Sequence, residues 1–443
     1  MSSASKKCRH QILQLEPSPF AELAGYTQPS FQERTKATTR FVRETQASVK
    51  TKDSIGTFPA PLVLPFDDLN YDPDCESQDF KTWLQFKTRN KVTTSRQTVY
   101  LARVPEITEA VAYMKDWTIP SKCQSNSAEA QSPNIETFID YTSAFYHGLP
   151  VKELPTRLKW TSWEARTPTR TTSIPKYIAL QHGNGTTRIR TRIPPDTAFP
   201  AQLNLDDILD ALIRALPRDA HSLLLLVDHD IWEADDDFCC GRAYGGSRVA
   251  VVQTARYRPG LDADEGVDRT HMWPLSHCKT FVDDLCSAED VVPRKATRLQ
   301  VVRSRAGPMR SAVDAAVRKM DGLDVAGDMD ALWFSRLART VSHELGHCFA
   351  FAHCVFHACN LQGTAGMKED VRQPPYLCPV CESKLSHAVV VERLRGGEEE
   401  RKMWVKERCG SLREFCQRLE EDGKGTAMWS GLDAWLGERM LSL

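Results

Sequence analysis

Leu337-Ala-Arg-Thr-Val341-Ser-His343-Glu344-Leu345-Gly-His347 is the stretch on which the reading of this chain turns. Leu337, Val341 and Leu345 recur every four residues and form the apolar stripe of a helix that starts near Met329. His343 and His347 each fall two residues past a stripe member, about 200° round the helix axis from it. The helix therefore buries one side and turns both imidazoles away from the core. Side chains four residues apart stack on one face, so the two imidazoles can share one ion. Glu344 lies about 100° round from His343, which is wrong for a third ligand and right for reaching a water on that ion. Zinc lowers the pKa of such a water to about 7, and a neighbouring carboxylate can take its proton and later pass it to a leaving group.

Downstream, His353 falls off the ligand face if the helix simply continues. A turn after Phe349 brings it back and completes a three-imidazole set with an open fourth position. Directly behind it come Cys354 and Cys359, then, after a loop, Cys378-Pro-Val-Cys381. Two short cysteine pairs separated by a loop have the spacing of a closed four-thiolate zinc site. Such a site has no open position, so its role is structural, and it supplies folding free energy to a loop too polar to build a core. Neighbouring side chains on extended backbone point to opposite sides. The dipeptide His353-Cys354 is thus expected to bridge a catalytic and a structural ion.

The joined motifs, His343-Glu-Leu-Gly-His347, His353-Cys354, Cys359 and Cys378-Pro-Val-Cys381-Glu-Ser-Lys-Leu385, closely resemble the signature of the archaemetzincin family. The resemblance is specific over about 45 residues and looser from Phe58 to His387. It implies a metzincin-like α/β catalytic domain with a mixed twisted sheet, an active-site helix, and a zinc-stabilised C-terminal subdomain followed by helices. It also implies two zinc ions per chain, one catalytic and one structural. By position, His343, His347 and His353 become the catalytic ligands, Glu344 the general base, and Cys354, Cys359, Cys378 and Cys381 the ligands of the second ion. Two positions depart from the family pattern. Ala350 stands where metzincins use Gly to leave the helix sharply. Leu361 stands where the family usually has the Met that floors the metal site, a swap of similar volume.

The rest of the chain sets boundaries. Across 443 residues, 57 Lys+Arg against 58 Asp+Glu give a net charge of −1, which removes any global electrostatic reason to bind nucleic acid or an anionic membrane. The N-terminus carries no apolar stretch like that of a secretory signal, so an intracellular location, cytoplasmic or nuclear, is expected. Reduced thiols fit that setting: Cys8, Cys75, Cys123, Cys239, Cys240, Cys278, Cys286, Cys409 and Cys416 show no ligand spacing and read as buried or surface thiols. Residues 1–58 are polar and read as disordered, with a short helix near Phe31–Val49. Residues 59–387 form the catalytic domain, with an irregular insertion at about 258–308, and 388–443 a helical extension. Asn204 opens a helix that stops at Pro217, Leu223–Val227 is a buried strand, and Arg248–Gln253 is a strand placed to pair with an extended substrate or to be ordinary sheet. Ser121–Pro133 reads as a polar loop, Tyr376 as packing rather than an oxyanion donor, and Asp228, His229 and Asp230 as loop caps.

The function expected from these residues is a zinc-dependent metallopeptidase acting on peptide or protein substrates, with aminopeptidase action on short peptides as the finer reading. The competing expectation is a catalytically weak or inactive zinc-binding interaction protein that keeps the fold, motivated by Ala350 and Leu361. Nucleic-acid binding through a four-cysteine finger is disfavoured by the charge balance. Oligomeric state is not legible.

Overall fold

Alternation along one strand organises the molecule. In the computed structural model, which describes residues 8, 10–39, 54–67, 77–122, 133–164, 174–321 and 329–443, the strand Ala220–Val227 is buried along its whole length. Leu223, Leu225 and Val227 face one core, and Leu224 and Leu226 face another, the period-2 signature of a strand covered on both faces. It lies in the middle of a five-stranded sheet ordered Gly241–Tyr244, Val249–Gln253, Ala220–Val227, Thr98–Ala102, Val151–Glu153. All neighbours are parallel except the first pair, which is antiparallel.

On one face, a helix (Leu205–Ala215) and a second, six-stranded sheet close a core around Trp160, Ile178, Ile189, Leu203 and Leu209. The Asn204 side chain caps that helix by accepting from the Asp207 N–H. The opposite face receives the active-site helix, Met329–Cys348, through Leu337, Val341 and Leu345. The single mixed sheet expected from the sequence is therefore two sheets, one mixed and central, the other on the far side of the central sheet from the candidate site.

Three boundaries need correcting. Residues 10–38 are not disordered: Leu13 and Leu15 are buried, Lys279 N–H donates to Ile12 O at 2.9 Å, and Ala60 N–H donates to Leu15 O at 2.8 Å. Polar composition hid this, because the segment buries few side chains and is held mainly through its backbone. Its helix is only Phe31–Lys36; residues 1–7, 9 and 40–53 lie outside the described residues. The 258–308 insertion carries two short helices, Lys279–Ala288 and Arg298–Arg303. The segment 388–443 is helical (Glu398–Glu421 and Ala427–Met440) but is no appendage, since Trp429 and Trp435 are fully buried in the main core. Most of the expected loop at Ser121–Pro133, including Cys123, lies outside the described residues, as does Cys75. Among the described residues no helix is long and apolar enough to cross a membrane.

Candidate active site

The active-site helix is anchored before it presents its histidines. Arg336 makes a two-pronged pair with Asp262 at 2.6 and 2.8 Å, and Arg339 pairs with Asp370, all four side chains largely buried. A turn further on, the His343 Nδ1–H donates to Asn360 O at 2.7 Å and the His347 Nδ1–H to Phe351 O at 2.6 Å. Each carbonyl fixes the tautomer, leaving the other ring nitrogen as a bare lone pair. Those two Nε2 atoms lie 3.0 Å apart. Burial and the neighbouring imidazoles hold His343 well below the ordinary histidine range and His347 down to about 3. Both rings are thus neutral at pH 7 and need shed no proton to bind a cation.

The helix ends at Cys348, and the chain leaves it through Ala350, which has a φ of 61°. This is the left-handed conformation that the Gly of the family pattern provides at lower cost. Here it is braced from outside: Gln78 Nε2 donates to Ala350 O at 3.0 Å, Ala352 N–H donates to Gln78 Oε1 at 3.2 Å, and Trp83 Nε1–H donates to Phe349 O at 2.8 Å. The turn returns His353 to the other two rings, with centroids 5.4 Å from His343 and 5.1 Å from His347. One nitrogen from each of the three rings lies within 4.8 Å of the others. Leu361 is fully buried beneath the helix, and a Cβ on Gly346 would meet its Cδ1 at 2.9 Å. The residue at the Met position therefore does pack under the histidine motif.

Glu344 faces the edge strand. A Cβ on Gly241 would come within 2.9 Å of Glu344 Oε1, so a side chain there would displace the carboxylate from its present position. Burial pushes the Glu344 carboxyl up to about 8, opposed by Arg242. A cleft of ≈ 700 Å³ opens over the three histidines and Glu344, with Glu233, Asp236, Asp237 and Arg242 along one wall. Arg248–Gln253, read as either a substrate-pairing strand or ordinary sheet, is a strand over Val249–Gln253 interior to the sheet; the edge on the side of Glu344 is Gly241–Tyr244. Alternating apolarity cannot separate an edge from its neighbour. The signal that was available is the Gly-Arg pair at 241–242, which puts a residue without a side chain opposite the helix.

Cys354, Cys359, Cys378 and Cys381 form the second group. All four are buried free thiols, with their sulfurs within 4.8 Å of one another and Cys354 Sγ 3.4 Å from Cys378 Sγ. Hydrogen bonds from the neighbouring thiols hold the Cys354 thiol well below its ordinary range, while desolvation pushes the Cys359 and Cys378 thiols up, so the buried group is well suited to a cation. His353 and Cys354, adjacent in the chain, serve the two groups separately.

The remaining candidates fall elsewhere. Tyr376 is buried and stacks on Trp435 with centroids 4.2 Å apart, and Cys348 is core. Asp230 is gripped by Arg256 at 3.0 and 2.7 Å, and His229 bridges Asp228 and Met114 O. His357 is buried against Phe58 O.

No established protein-family profile matches the chain. Among curated proteins it is similar to human archaemetzincin-2, at 24% identity over 341 residues, covering 76% of this chain and 72% of the relative. A shorter stretch of 63 residues is 43% identical to archaemetzincin-2 of Macaca fascicularis, covering 14% of this chain and 18% of the relative. Among solved structures it aligns with archaemetzincin from Methanopyrus kandleri at 15% identity and a TM-score of 0.32, over 67% of this chain and 97% of that one. It also aligns with a zinc-dependent peptidase from Methanocorpusculum labreanum at 13% identity and a TM-score of 0.31, over 65% of this chain and 99% of that one. With three imidazoles gathered over one helix, four thiols directly behind them, and sequence relatives named archaemetzincin, the chain is similar to the archaemetzincins.

Proposed function

We propose that this protein is a zinc-dependent metallopeptidase that hydrolyses peptide bonds, acting from the amino terminus of short peptides. The observation that carries the proposal is the pair of Nε2 lone pairs held 3.0 Å apart by two Nδ1–H···O=C bonds. This arrangement is repulsive unless a cation sits between them. His343, His347 and His353 would hold zinc, which when bound would supply Lewis acidity for the scissile carbonyl and for water.

The chain's own groups do the rest. The free side of Gly241–Tyr244 offers backbone N–H and C=O groups to an extended peptide, which aligns its carbonyl over the histidines. Glu344, pressed against that strand, takes a proton from the attacking water and returns it to the departing amine. Burial makes Glu344 a readier proton acceptor, and a cation held by the neighbouring histidines would draw its carboxyl back down so that it starts ionised. Arg242 pairs with Glu233 at 3.2 Å, which leaves Asp236 and Asp237 as the excess negative charge on one side of the cleft, and this favours a substrate end bearing a positive α-amine. Cys354, Cys359, Cys378 and Cys381 would hold a second, closed zinc that fixes the start of the loop and with it His353.

The test combines metal analysis with a peptide library. Glu344→Gln should keep the zinc content of the parent and lose turnover; undiminished cleavage by this variant would refute the mechanism. Peptides with acetylated amino termini should resist cleavage, and equal rates on acetylated and free peptides would refute the aminopeptidase mode while leaving the hydrolase intact.

A further inference from the structure

Cys8 and Cys278, both read from the sequence as isolated thiols, meet in space. Their sulfurs lie 3.2 Å apart although 270 residues separate them. Both are free thiols, and the gap is far longer than the S–S bond of about 2.05 Å. It is close to the 3.4 Å between Cys354 and Cys378 in the four-thiol group. Two histidines complete the surroundings. The Cys8 sulfur, one nitrogen of His10 and one nitrogen of His271 lie within 4.8 Å of one another.

The histidines are set up as ligands. His10 is 8% exposed, and its Nδ1 is buried with no hydrogen-bond partner. His271 Nδ1 is engaged by Asp268 Oδ2 at 2.6 Å, with Thr270 Oγ1 at 3.0 Å, and its ring is stacked on Phe281 with centroids 4.2 Å apart. Its Nε2 is buried without a hydrogen bond of ordinary geometry, although the ring lies against the Cys8 thiol. A carboxylate holding one imidazole nitrogen while the other faces a thiol is the usual outer support of a metal-bound histidine. Cys278 immediately precedes the helix Lys279–Ala288, whose first backbone N–H groups oppose the upward push that burial gives its thiol. Buried imidazole nitrogens without partners are costly, and a disulfide between the cysteines would satisfy neither of them.

We propose that Cys8, His10, His271 and Cys278 form a third metal site, a two-cysteine, two-histidine zinc centre that clamps the N-terminal segment to the body of the protein. Two thiolates and two imidazoles are a closed, tetrahedral zinc set with no position for catalysis. The segment it clamps is already laid against the same region: Gln14 N–H donates to His277 O at 2.8 Å and Leu13 N–H to Ser304 Oγ at 2.9 Å. Arg310 Nη1 holds the carbonyl of His10 at 2.7 Å. The site stands apart from the catalytic reading and does not depend on it.

The test is the zinc content of the full-length protein. Cys8→Ser, His10→Ala and Cys278→Ser should each bind one zinc equivalent fewer than the parent. His343→Ala should lose a different equivalent, so that a Cys8→Ser/His343→Ala double variant loses two. Asp268→Asn should weaken zinc binding at this site about 10–100-fold without abolishing it. Cadmium-substituted parent, read by cadmium NMR, needs no variant to fold. It should show a resonance between those of all-sulfur and all-nitrogen coordination. Zinc content unchanged by Cys8→Ser, absence of that resonance, or a parent mass two hydrogens low with Cys8 joined to Cys278 would each overturn the proposal.

Discussion

The imidazole group and the four-thiol group are joined at the dipeptide His353-Cys354 yet sit in opposite surroundings. His343, His347 and His353 are all partly exposed and border the cleft, whereas Cys354, Cys359, Cys378 and Cys381 are all buried. Behind the thiols the cover is dense. Glu382, next to Cys381, receives Arg439 at 3.0 and 2.5 Å, and Trp435 stacks on Tyr376, two residues before Cys378. A group that must admit substrate leaves one side open and relies on its neighbour for rigidity. A group that only supports has every side covered. The C-terminal helices, which looked like an extension, supply that cover, and this explains why the chain continues past the second cysteine pair.

The comparison breaks hardest at Cys359. If the thiol group is the scaffold of the imidazole group, Cys359→Ser should remove the structural zinc, lower the melting temperature sharply and abolish hydrolysis together, since structural zinc is worth about 10 kcal/mol or more to small domains. Thermal unfolding and peptide turnover on the same sample decide the point; full activity in a zinc-depleted variant would separate the two groups. Glu344→Gln works from the other side. It should lower kcat by about 10²- to 10⁴-fold with little change in melting temperature, and a matching loss of stability would recast Glu344 as a structural residue.

Two smaller changes sharpen the picture at the positions where this chain departs from the archaemetzincin pattern. Leu361→Met exchanges side chains of similar volume beneath Gly346 and should shift stability by less than about 1.5 kcal/mol with turnover preserved. A denaturation curve and a rate measurement check both halves. Ala350→Gly removes the left-handed strain at a φ of 61° and should raise stability by about 1 kcal/mol. Its activity should stay within a few-fold of the parent, because Gln78 and Trp83 already hold the turn. A large gain in activity would instead mark the parent as a degraded enzyme, the competing reading of the sequence.

What could be read in advance was what is encoded locally. The stripe of Leu337, Val341 and Leu345 fixes which way the helix faces, so the direction of His343 and His347 follows from spacing alone. The thiol pairs are legible for the same reason. His353 is an intermediate case, since its return depends on a turn whose residue, Ala350, argues weakly for it. Three features were out of reach. Burial of residues 10–38 rests on backbone hydrogen bonds to distant loops, turns and helix starts, which composition does not register. The identity of the edge strand depends on sheet order rather than on the pattern within any strand. The convergence of Cys8 and His10 on His271 and Cys278 brings together residues that lie on either side of both sheets in the sequence and leaves no local spacing to find.

The most direct measurement is an anomalous-difference map at the zinc edge from crystals of the full-length protein. The account predicts one peak bounded by the His343, His347 and His353 rings with the Glu344 carboxylate outside its ligand sphere, and a second among the four sulfurs of Cys354, Cys359, Cys378 and Cys381. A map with zinc among the sulfurs and nothing at the histidines, or with Glu344 bound directly to the ion, would contradict it.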